Sequence, residues 1–340
     1  MKAIAITGFG TTDVLQIRDM PKPAPGPDEV LIKVSYFGIN FADILARVGL
    51  YPDAPKVPFV PGYEVSGVVE EIGSDVSHIS RGAPVIAFTP FGGYAEYVVA
   101  PAKAVVSLPN VSFLKEGAAL PVVYATAYYS LIHMVNIRPG DRVLIQAAAG
   151  GVGLAAVQLA KMAGAEIFGT VGSVAKMDYL KKIGVQHPIN YQAEDLGKRI
   201  MKLTQNEGVD IILDSLGGDF IPKGMKMLRA GGRFISIGVS SMTPEKKRNL
   251  VKVVWQVIRF PKLNTMKLLS DSKAFIGVNM KAISEQKPQL LAELLKRVLA
   301  LWSEKKLTPI IDKVFPFDKI ADAHQYVQGR KNIGKVLVEI

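Results

Sequence analysis

The stretch from Arg142 to Gly153, RVLIQAAAGGVG, is predicted as an apolar strand that runs through a glycine-rich turn into a helix. Against the pattern G-x-G-x-x-G it has Ala148 in the first slot, followed by Gly150 and Gly153. Such glycines let a dinucleotide pyrophosphate reach bare backbone N–H groups at a helix N-terminus. A purely structural turn is the alternative, but the position between strand and helix favours a dinucleotide site. Backbone contacts are expected from this glycine loop (147–153), at Ala149, Gly150, Gly151 and Val152.

Strands and helices alternate after the glycine loop. Apolar runs predict strands at Glu166–Val171, Val209–Asp214 and Arg233–Gly238, and helices are predicted at 153–164 and 174–184. This alternation is typical of a parallel, doubly wound sheet. The sequence therefore predicts an α/β fold with a Rossmann domain.

The two ends of the chain have a different pattern from the middle. Short apolar runs such as Val30–Val34, divided by Gly and Pro turns, predict a β-rich first third, and mixed α and β patterns return after about residue 270. We predict that residues 1–124 and 266–340 form a β-rich catalytic lobe. Residues 125–265 are predicted to form the Rossmann domain, with the active site in the cleft between the two.

Composition narrows the function classes. The 340 residues include no cysteine, which excludes disulfides, thiolate zinc sites, iron–sulfur clusters and a cysteine nucleophile. The net charge of +11 suits nucleic acid, an anionic membrane or a phosphorylated cofactor, but no nucleic-acid-binding module is recognisable, so no nucleic-acid partner is expected.

The apolar run 117–135 contains Pro121 and His133 and is predicted as a buried helix. With no secretory pattern in residues 1–8, a cytoplasmic location is expected.

The end of the second predicted strand indicates which nicotinamide cofactor binds. Sites that prefer NAD place Asp or Glu about 20 residues beyond the glycines, to hold the ribose 2′-hydroxyl. This chain has Gly169–Ser173 (GTVGS) there, with Lys176 shortly after. A hydroxyl and a cation suit a 2′-phosphate, and Tyr191 is expected to add a hydrogen bond. An ordinary solvated lysine is the alternative for Lys176, but the missing acid favours NADPH.

The order of motifs resembles the medium-chain dehydrogenase/reductase superfamily, in its quinone oxidoreductase branch, over essentially the whole chain. Within that branch it looks closest to the vesicle-amine-transport-protein-like reductases. The resemblance implies a GroES-like β-rich lobe beside the Rossmann domain, and a homodimer. The motifs that carry it are Gly38–Asp43 (GINFAD), Gly49–Pro52 (GLYP), Pro61–Glu64 (PGYE), the glycine loop, Asp210–Gly218 (DIILDSLGG), Lys247–Leu250 (KRNL) and Asn332–Lys335 (NIGK).

Zinc-dependent members of the family carry a cysteine just after the first loop glycine and a His-Glu pair in the second motif. The equivalent positions here are Ile39 or Asn40, and Tyr63-Glu64, which cannot form a thiolate–imidazole site, so no metal is expected. Without a Lewis acid the acceptor must spread its own negative charge. The small-molecule acceptor is therefore expected to be a quinone or an α,β-unsaturated carbonyl.

The resemblance also implies roles for single residues. Asn40 is expected near the nicotinamide ribose, Tyr51 at the border of the acceptor cavity, and Tyr63 facing that cavity from the vacated zinc position. These three are the candidate catalytic residues. Tyr51 has packing in the lobe as its alternative, and Asp43, expected to shape the pocket, has helix capping. Further cofactor contacts are expected from Thr126, Gly238, Phe275, Gly277 and Asn332.

A basic amphipathic stretch, residues 246–269, interleaves cations with apolar side chains that include Trp255. Its apolar face is expected to pack against the protein, and a peripheral contact with an anionic membrane is the alternative. The alternative function is accordingly a peripheral membrane or lipid-associated protein that retains an NADPH site without strong catalysis.

Overall fold

The structure is a computed structural model that describes residues 1–242 and 263–340. Most of the basic stretch 246–269 lies outside the described residues, which include only 263–269 of it. The described chain forms two compact units. A β-rich unit contains residues 1–125 and 280–340, and a parallel-sheet unit contains residues 126–242 and 263–279.

The strands in the described part of the chain are β1 (Lys2–Ile6), β2 (Leu15–Asp19), β3 (Glu29–Ile39), β4 (Glu64–Ile72), β5 (Pro84–Phe88), β6 (Tyr97–Pro101), β7 (Val105–Ser107), β8 (Arg142–Ile145), β9 (Glu166–Val171), β10 (His187–Asn190), β11 (Val209–Asp214), β12 (Leu228–Ser236), β13 (Ala274–Gly277), β14 (Ile311–Pro316) and β15 (Lys335–Glu339). The α-helices there are α1 (Phe41–Arg47), α2 (Leu114–Gly117), α3 (Pro121–Tyr128), α4 (Gly151–Met162), α5 (Val174–Lys182), α6 (Leu196–Leu203), α7 (Phe220–Met227), α8 (Thr265–Ser270), α9 (Met280–Gln286), α10 (Pro288–Ser303) and α11 (Ile320–Gln328).

The parallel-sheet unit has one six-stranded sheet in the order β10-β9-β8-β11-β12-β13, with every pair parallel. This confirms the predicted Rossmann architecture. Apolar side chains from five strands are fully buried, as expected when helices cover both faces of a parallel sheet. These are Leu144, Phe168, Ile189, Ile212 and Phe234.

The sixth strand comes from residues that the sequence-based division assigns to the β-rich lobe. Strand β13 pairs in parallel with β12, and the Phe275 ring stacks on Phe234 with 5.4 Å between ring centroids. A four-residue strand has too short an apolar pattern to indicate which sheet it joins. The structure therefore places 263–279 with the parallel sheet.

The β-rich unit has a seven-stranded sheet in which β14-β15-β3-β4-β5-β7 are neighbours and β6 also pairs with β3. Strands β1 and β2 form a separate antiparallel pair. Strand β15, from near the C-terminus, lies between β14 and β3, so distant parts of the chain share one core. Its buried members include Ile4, Ile32, Phe37, Val65 and Val336.

The apolar run 117–135 is helical and largely buried, as predicted, but it is not one helix. Helix α2 ends at Gly117, α3 begins at Pro121, and the turn from Tyr129 to Met134 is a π-helix. Proline fits the first turn of a helix and cannot continue an earlier one, which explains the break. No helix in the described ranges has the length and apolarity needed to cross a membrane.

Candidate functional site

The glycine loop joins β8 to α4 and is shaped by close backbone packing. A β-carbon on Gly153 would lie 2.3 Å from the Ala147 carbonyl oxygen and 2.7 Å from the Cα of Ala148, so only glycine fits there. Gly150 is the N-cap of α4, and its own β-carbon would lie 3.2 Å from the same oxygen. The first N–H groups of a helix have no intrahelical acceptor, which makes them donors for an anion. The loop thus fits the pyrophosphate of a dinucleotide.

Thr170 on β9 holds the glycine loop against the sheet. Its carbonyl accepts from Ala148 N at 2.9 Å, and its hydroxyl accepts from Ala147 N at 3.2 Å. The same hydroxyl donates to Gln146 Oε1 at 2.6 Å, and both side chains are buried. Gln146 was not predicted as a site residue, because one polar residue at a strand end gives no pattern.

Ser173, Lys176 and Tyr191, predicted to hold the 2′-phosphate, follow the ends of β9 and β10. Ser173 caps α5, its oxygen accepting from Lys176 N at 3.4 Å, and its hydroxyl proton can still donate. Tyr191 N donates to Val171 O at 3.1 Å. A β-carbon on Gly172 would lie 2.6 Å from the Tyr191 hydroxyl oxygen, so that hydroxyl rests directly on the glycine. The Tyr191 phenol thus lies beside Gly172, the residue before Ser173, and Lys176 belongs to the first turn of the helix that Ser173 caps.

The ends of β11 and β12 form a second group in the same unit. Asp214 is fully buried and accepts from Leu216 N at 3.0 Å and from Gly217 N at 2.9 Å. Burial raises the pKa of the Asp214 carboxyl to about 6. Ser240 N donates to Ser215 O at 3.0 Å, and a β-carbon on Gly238 would lie 3.3 Å from the same oxygen. The predicted contact residue Gly238 therefore lies against a loop that Asp214 orders.

The other predicted nicotinamide contacts of this unit lie in different elements. The Phe275 ring packs on Phe234. Gly277 ends β13 opposite Ser236. Thr126 lies in α3 and is 7% exposed.

In the β-rich unit, Asn40 is held in a buried network at the end of β3. Its Nδ2 donates to Glu64 Oε1 at 2.8 Å, and its Oδ1 accepts from Lys335 Nζ at 2.6 Å. Lys335 and Glu64 also form an ion pair and are only 3% and 0% exposed. The ammonium group donates further to Ile39 O at 3.0 Å, and Glu64 Oε2 accepts from Val122 N at 2.7 Å. Both amide atoms of Asn40 are therefore fixed in orientation.

Tyr51 and Tyr63 meet edge to face with 5.9 Å between ring centroids. The Tyr63 ring is also 5.2 Å from Phe91, and its buried hydroxyl interacts with that of Tyr51. Burial, and then the nearby Asp43 carboxylate, raises the pKa of Tyr63 well above its ordinary value. Burial also raises the pKa of Tyr51. Both phenols are therefore neutral donors at physiological pH.

The loop before β15 carries the last predicted contact, Asn332. Its Nδ2 donates to Gly334 O at 2.7 Å. Gly334 has φ +94°, and a β-carbon there would lie 2.4 Å from Ile310 O, so glycine is required at this turn. The turn leads directly to Lys335 and its network with Asn40.

The structure thus places Tyr191 against Gly172 in the parallel-sheet unit and Tyr51 against Tyr63 in the β-rich unit. Thr126, Phe275 and Gly277 lie in separate elements.

His324 is buried, and its Nε2 lies 3.1 Å from the Tyr94 hydroxyl. Tyr94 and Lys335 escaped prediction, because their partners are distant in sequence. Asp43 makes the helix cap that was its predicted alternative, accepting from Asn40 N at 2.8 Å. In residues 1–242 and 263–340 no three His, Asp or Glu side chains are grouped as metal ligands would be.

Comparison with known proteins agrees with this architecture. A family model described as alcohol dehydrogenase GroES-like domain matches residues 26–110, and one described as zinc-binding dehydrogenase matches residues 151–297. The name of the second family model is not evidence that this chain binds zinc. The first match confirms the GroES-like part of the predicted fold.

Individual relatives align over the whole chain. The rat synaptic vesicle membrane protein VAT-1 homolog is 37% identical over 99% of this chain and 84% of its own length. The Escherichia coli quinone oxidoreductase, solved with NADPH, has a TM-score of 0.88 and 28% identity over 100% of both chains. The CurK enoyl reductase has a TM-score of 0.84 and 33% identity over 99% of this chain and 98% of its own. The chain therefore belongs to the medium-chain dehydrogenase/reductase family, close to the VAT-1 homologues and the quinone oxidoreductases, and is an oxidoreductase of that type.

Proposed function

We propose that this protein is an NADPH-dependent, zinc-independent reductase that transfers hydride to a quinone or an α,β-unsaturated carbonyl. The observation that carries the proposal is the pair Asn40 and Tyr63 at the positions where zinc-dependent members hold cysteine and histidine. Asn40 is locked to Lys335 and Glu64, and Tyr63 lies among aromatic rings, so both positions serve other purposes than binding a metal. Relatives named as a quinone oxidoreductase and an enoyl reductase act on conjugated acceptors, which supports the same class here.

The preference for NADPH rests on the parallel-sheet unit. The N–H groups at the start of α4 would bind the pyrophosphate, and Ser173, Lys176 and Tyr191 would bind the 2′-phosphate. Contacts from Thr126, Gly238, Phe275, Gly277 and Asn332 belong to the same proposal.

The candidate residues of the β-rich unit would orient both the cofactor and the acceptor. Bound NADPH supplies the hydride. Asn40, with both amide atoms fixed, is proposed to orient the nicotinamide ribose. Tyr51 and Tyr63 stay protonated at neutral pH because burial raises the pKa of each, so each can donate a hydrogen bond to a carbonyl oxygen that gains negative charge.

The test follows NADPH absorbance with purified protein and a panel of quinones and enones, with and without a chelator. Oxidation of NADPH that the chelator does not change supports the proposal and ranks the acceptors. NADPH binding without turnover on any acceptor would contradict it. From the family resemblance we also propose that the protein is cytoplasmic and forms a homodimer. The molecular mass measured by gel filtration tests whether it is a dimer.

A second candidate function is a peripheral contact with an anionic membrane. Helix α8, the end of the basic stretch, leaves Met266 and Leu269 71% and 76% exposed, with Leu263 at 41%. Exposed apolar side chains beside lysines suit the surface of an anionic bilayer. The double variant Met266→Ser/Leu269→Ser should reduce salt-sensitive co-sedimentation with phosphatidylserine vesicles, whereas Met162→Ser on α4 should not. Equal binding by all three proteins would argue against this contact.

A further inference from the structure

One buried carboxylate connects the two segments that carry the candidate catalytic residues of the β-rich unit. Asp43, on the first turn of α1, is 0% exposed. Its Oδ2 accepts from Asn40 N at 2.8 Å, and its Oδ1 accepts from Gly62 N at 3.2 Å. Asn40 is itself a candidate, and Gly62 directly precedes Tyr63. Asp43 therefore links the two segments directly, in addition to the hydrogen bond from Asn40 Nδ2 to Glu64 Oε1 and the pairing of β3 with β4.

Both backbone N–H groups that Asp43 accepts from lie in confined positions. Gly62 has φ +109°, and a β-carbon there would lie 2.8 Å from the Tyr94 backbone nitrogen, so this loop is tightly confined. Asn40 begins α1, where an N–H needs a side-chain acceptor. A lost acceptor leaves a buried donor unsatisfied, which destabilises the folded state.

Charged and titratable groups surround Asp43 on several elements. Lys335 on β15 attracts the carboxylate, and Glu64 on β4 repels it. The Tyr94 hydroxyl, from the loop before β6, donates to it. The phenols of Tyr51 and Tyr63 lie close enough to interact with its charge. Lys335 is already paired with Glu64, and Asp43 makes no ion pair within the described residues.

Behind Tyr94 lies a second buried pair, which fixes the direction of the hydrogen bonds. His324 Nε2 on α11 lies 3.1 Å from the Tyr94 hydroxyl, and Arg47, on α1, also approaches Tyr94 and His324. Burial, and then Arg47, lowers the pKa of His324 to about 3, so the ring is neutral. Since one hydroxyl has one proton, Tyr94 can donate to Asp43 only if the His324 Nε2–H donates to Tyr94.

Taken together, these interactions favour the protonated form of Asp43 more than the surroundings of an exposed aspartate would. Burial raises the pKa of Asp43 to about 7, and the hydrogen bonds from Asn40 and Tyr94 and the charge of Lys335 only partly oppose it. A protonated carboxyl has one hydroxyl oxygen, which is a poor acceptor for an N–H group. The Asp43 carboxyl must therefore be ionised to accept strong hydrogen bonds from both Asn40 N and Gly62 N.

We propose that Asp43 is a positioning residue whose ionised form holds the Asn40 segment and the Gly62–Tyr63 segment at the spacing needed for turnover, and whose protonation releases one of them. The consequence for turnover rests on the proposed reductase function. The structural part of the proposal, in which protonation of one carboxylate changes its contacts with two segments, does not rest on that function.

The kinetic test compares Asp43→Asn with the wild-type protein using NADPH and 1,4-naphthoquinone. Turnover of the wild type should rise with pH through a midpoint near 7, as Asp43 ionises. In Asp43→Asn, kcat should fall by about ten- to a hundredfold and lose this step, because displaced reacting groups slow catalysis. The NADPH dissociation constant should change much less than kcat, since the proposed phosphate contacts lie in the other unit.

A spectroscopic test needs no turnover. The backbone amide resonances of Asn40 and Gly62 in the wild-type protein should shift with pH at one common midpoint. In Tyr94→Phe, which keeps the ring stack on Phe37 at 4.3 Å, that midpoint should rise by about one pH unit, because the carboxylate loses a donor. This variant also serves if Asp43→Asn does not fold.

A matched control is Asp214→Asn, since Asp214 is an equally buried carboxyl that accepts from two backbone N–H groups. It should leave the common midpoint of Asn40 and Gly62 unchanged. Amide signals with unrelated midpoints, or a midpoint that Tyr94→Phe does not move, would overturn the proposal. A wild-type protein without turnover but with the common midpoint would overturn the reductase function and leave the coupling standing.

Discussion

The two units place their functional groups by different physical means. In the parallel-sheet unit the candidate contacts are mainly backbone N–H groups and glycines at strand ends, fixed by the geometry of the sheet. In the β-rich unit they are side chains held by buried polar groups, with Asn40 between Glu64 and Lys335. A site of the first kind tolerates most side-chain changes but no added β-carbon. A site of the second kind depends on each partner.

The largest effect should come from breaking the buried ion pair. Lys335→Ala leaves Glu64 unpaired at 0% exposure, and the loss of one partner of a buried pair costs about 3–5 kcal/mol. Urea unfolding would measure the free energy of unfolding. The double variant Glu64→Gln/Lys335→Met should recover much of it, because no buried charge is left alone. A cost of Lys335→Ala below about 1 kcal/mol would mean that the network does not stabilise the β-rich unit.

The buried acid of the parallel-sheet unit should produce a pH-dependent stability. Burial raises the pKa of Asp214 from 3.8 to about 6, so the folded state keeps a proton that the unfolded state releases. The free energy of unfolding of the wild type, relative to Asp214→Asn, should therefore fall by about 2–3 kcal/mol between pH 4 and pH 6 and then level off. Urea unfolding at a series of pH values tests this. A difference that rises with pH would show that the carboxylate, not the acid, is favoured.

An added methyl group in the glycine loop should test whether backbone groups, rather than side chains, bind the cofactor in the parallel-sheet unit. Gly153→Ala puts a β-carbon 2.3 Å from a backbone oxygen, which is expected to cost about 2 kcal/mol in stability and to weaken NADPH binding. Fluorescence titration with NADPH measures the binding. Gly8→Ala is the control, because a β-carbon at Gly8 meets no atom within 4 Å. Equal binding by the two variants would contradict the assignment of the loop.

The smallest effect should distinguish the two nicotinamide cofactors. Lys176→Ala should weaken NADPH about tenfold and leave NADH nearly unchanged, because a charge-assisted bond to the 2′-phosphate is lost. Lys182→Ala, an exposed lysine on the same helix α5, should change neither. Isothermal titration with both cofactors gives the comparison. Equal losses for NADPH and NADH would show that Lys176 does not bind the 2′-phosphate.

The parallel sheet was predictable because its signal is local. Strands β9 and β11 have the predicted bounds, since each is an apolar run closed by turn residues. The network around Asn40 was not predictable, because Asn40 and Lys335 are 295 residues apart and a lysine in a strand gives no sign of burial. The π-helix at Tyr129–Met134 and the short β13 also have no local pattern.

Strand β15 has a consequence for the order in which the protein folds during synthesis. Because β15 lies between β14 and β3, the sheet of the β-rich unit stays incomplete until residue 339 has left the ribosome, although its first strands emerge first. All six strands of the parallel sheet precede residue 280 and can pair earlier. We expect ribosome-bound chains arrested just after the parallel sheet has emerged to resist protease in that unit and to be cut in the N-terminal segment.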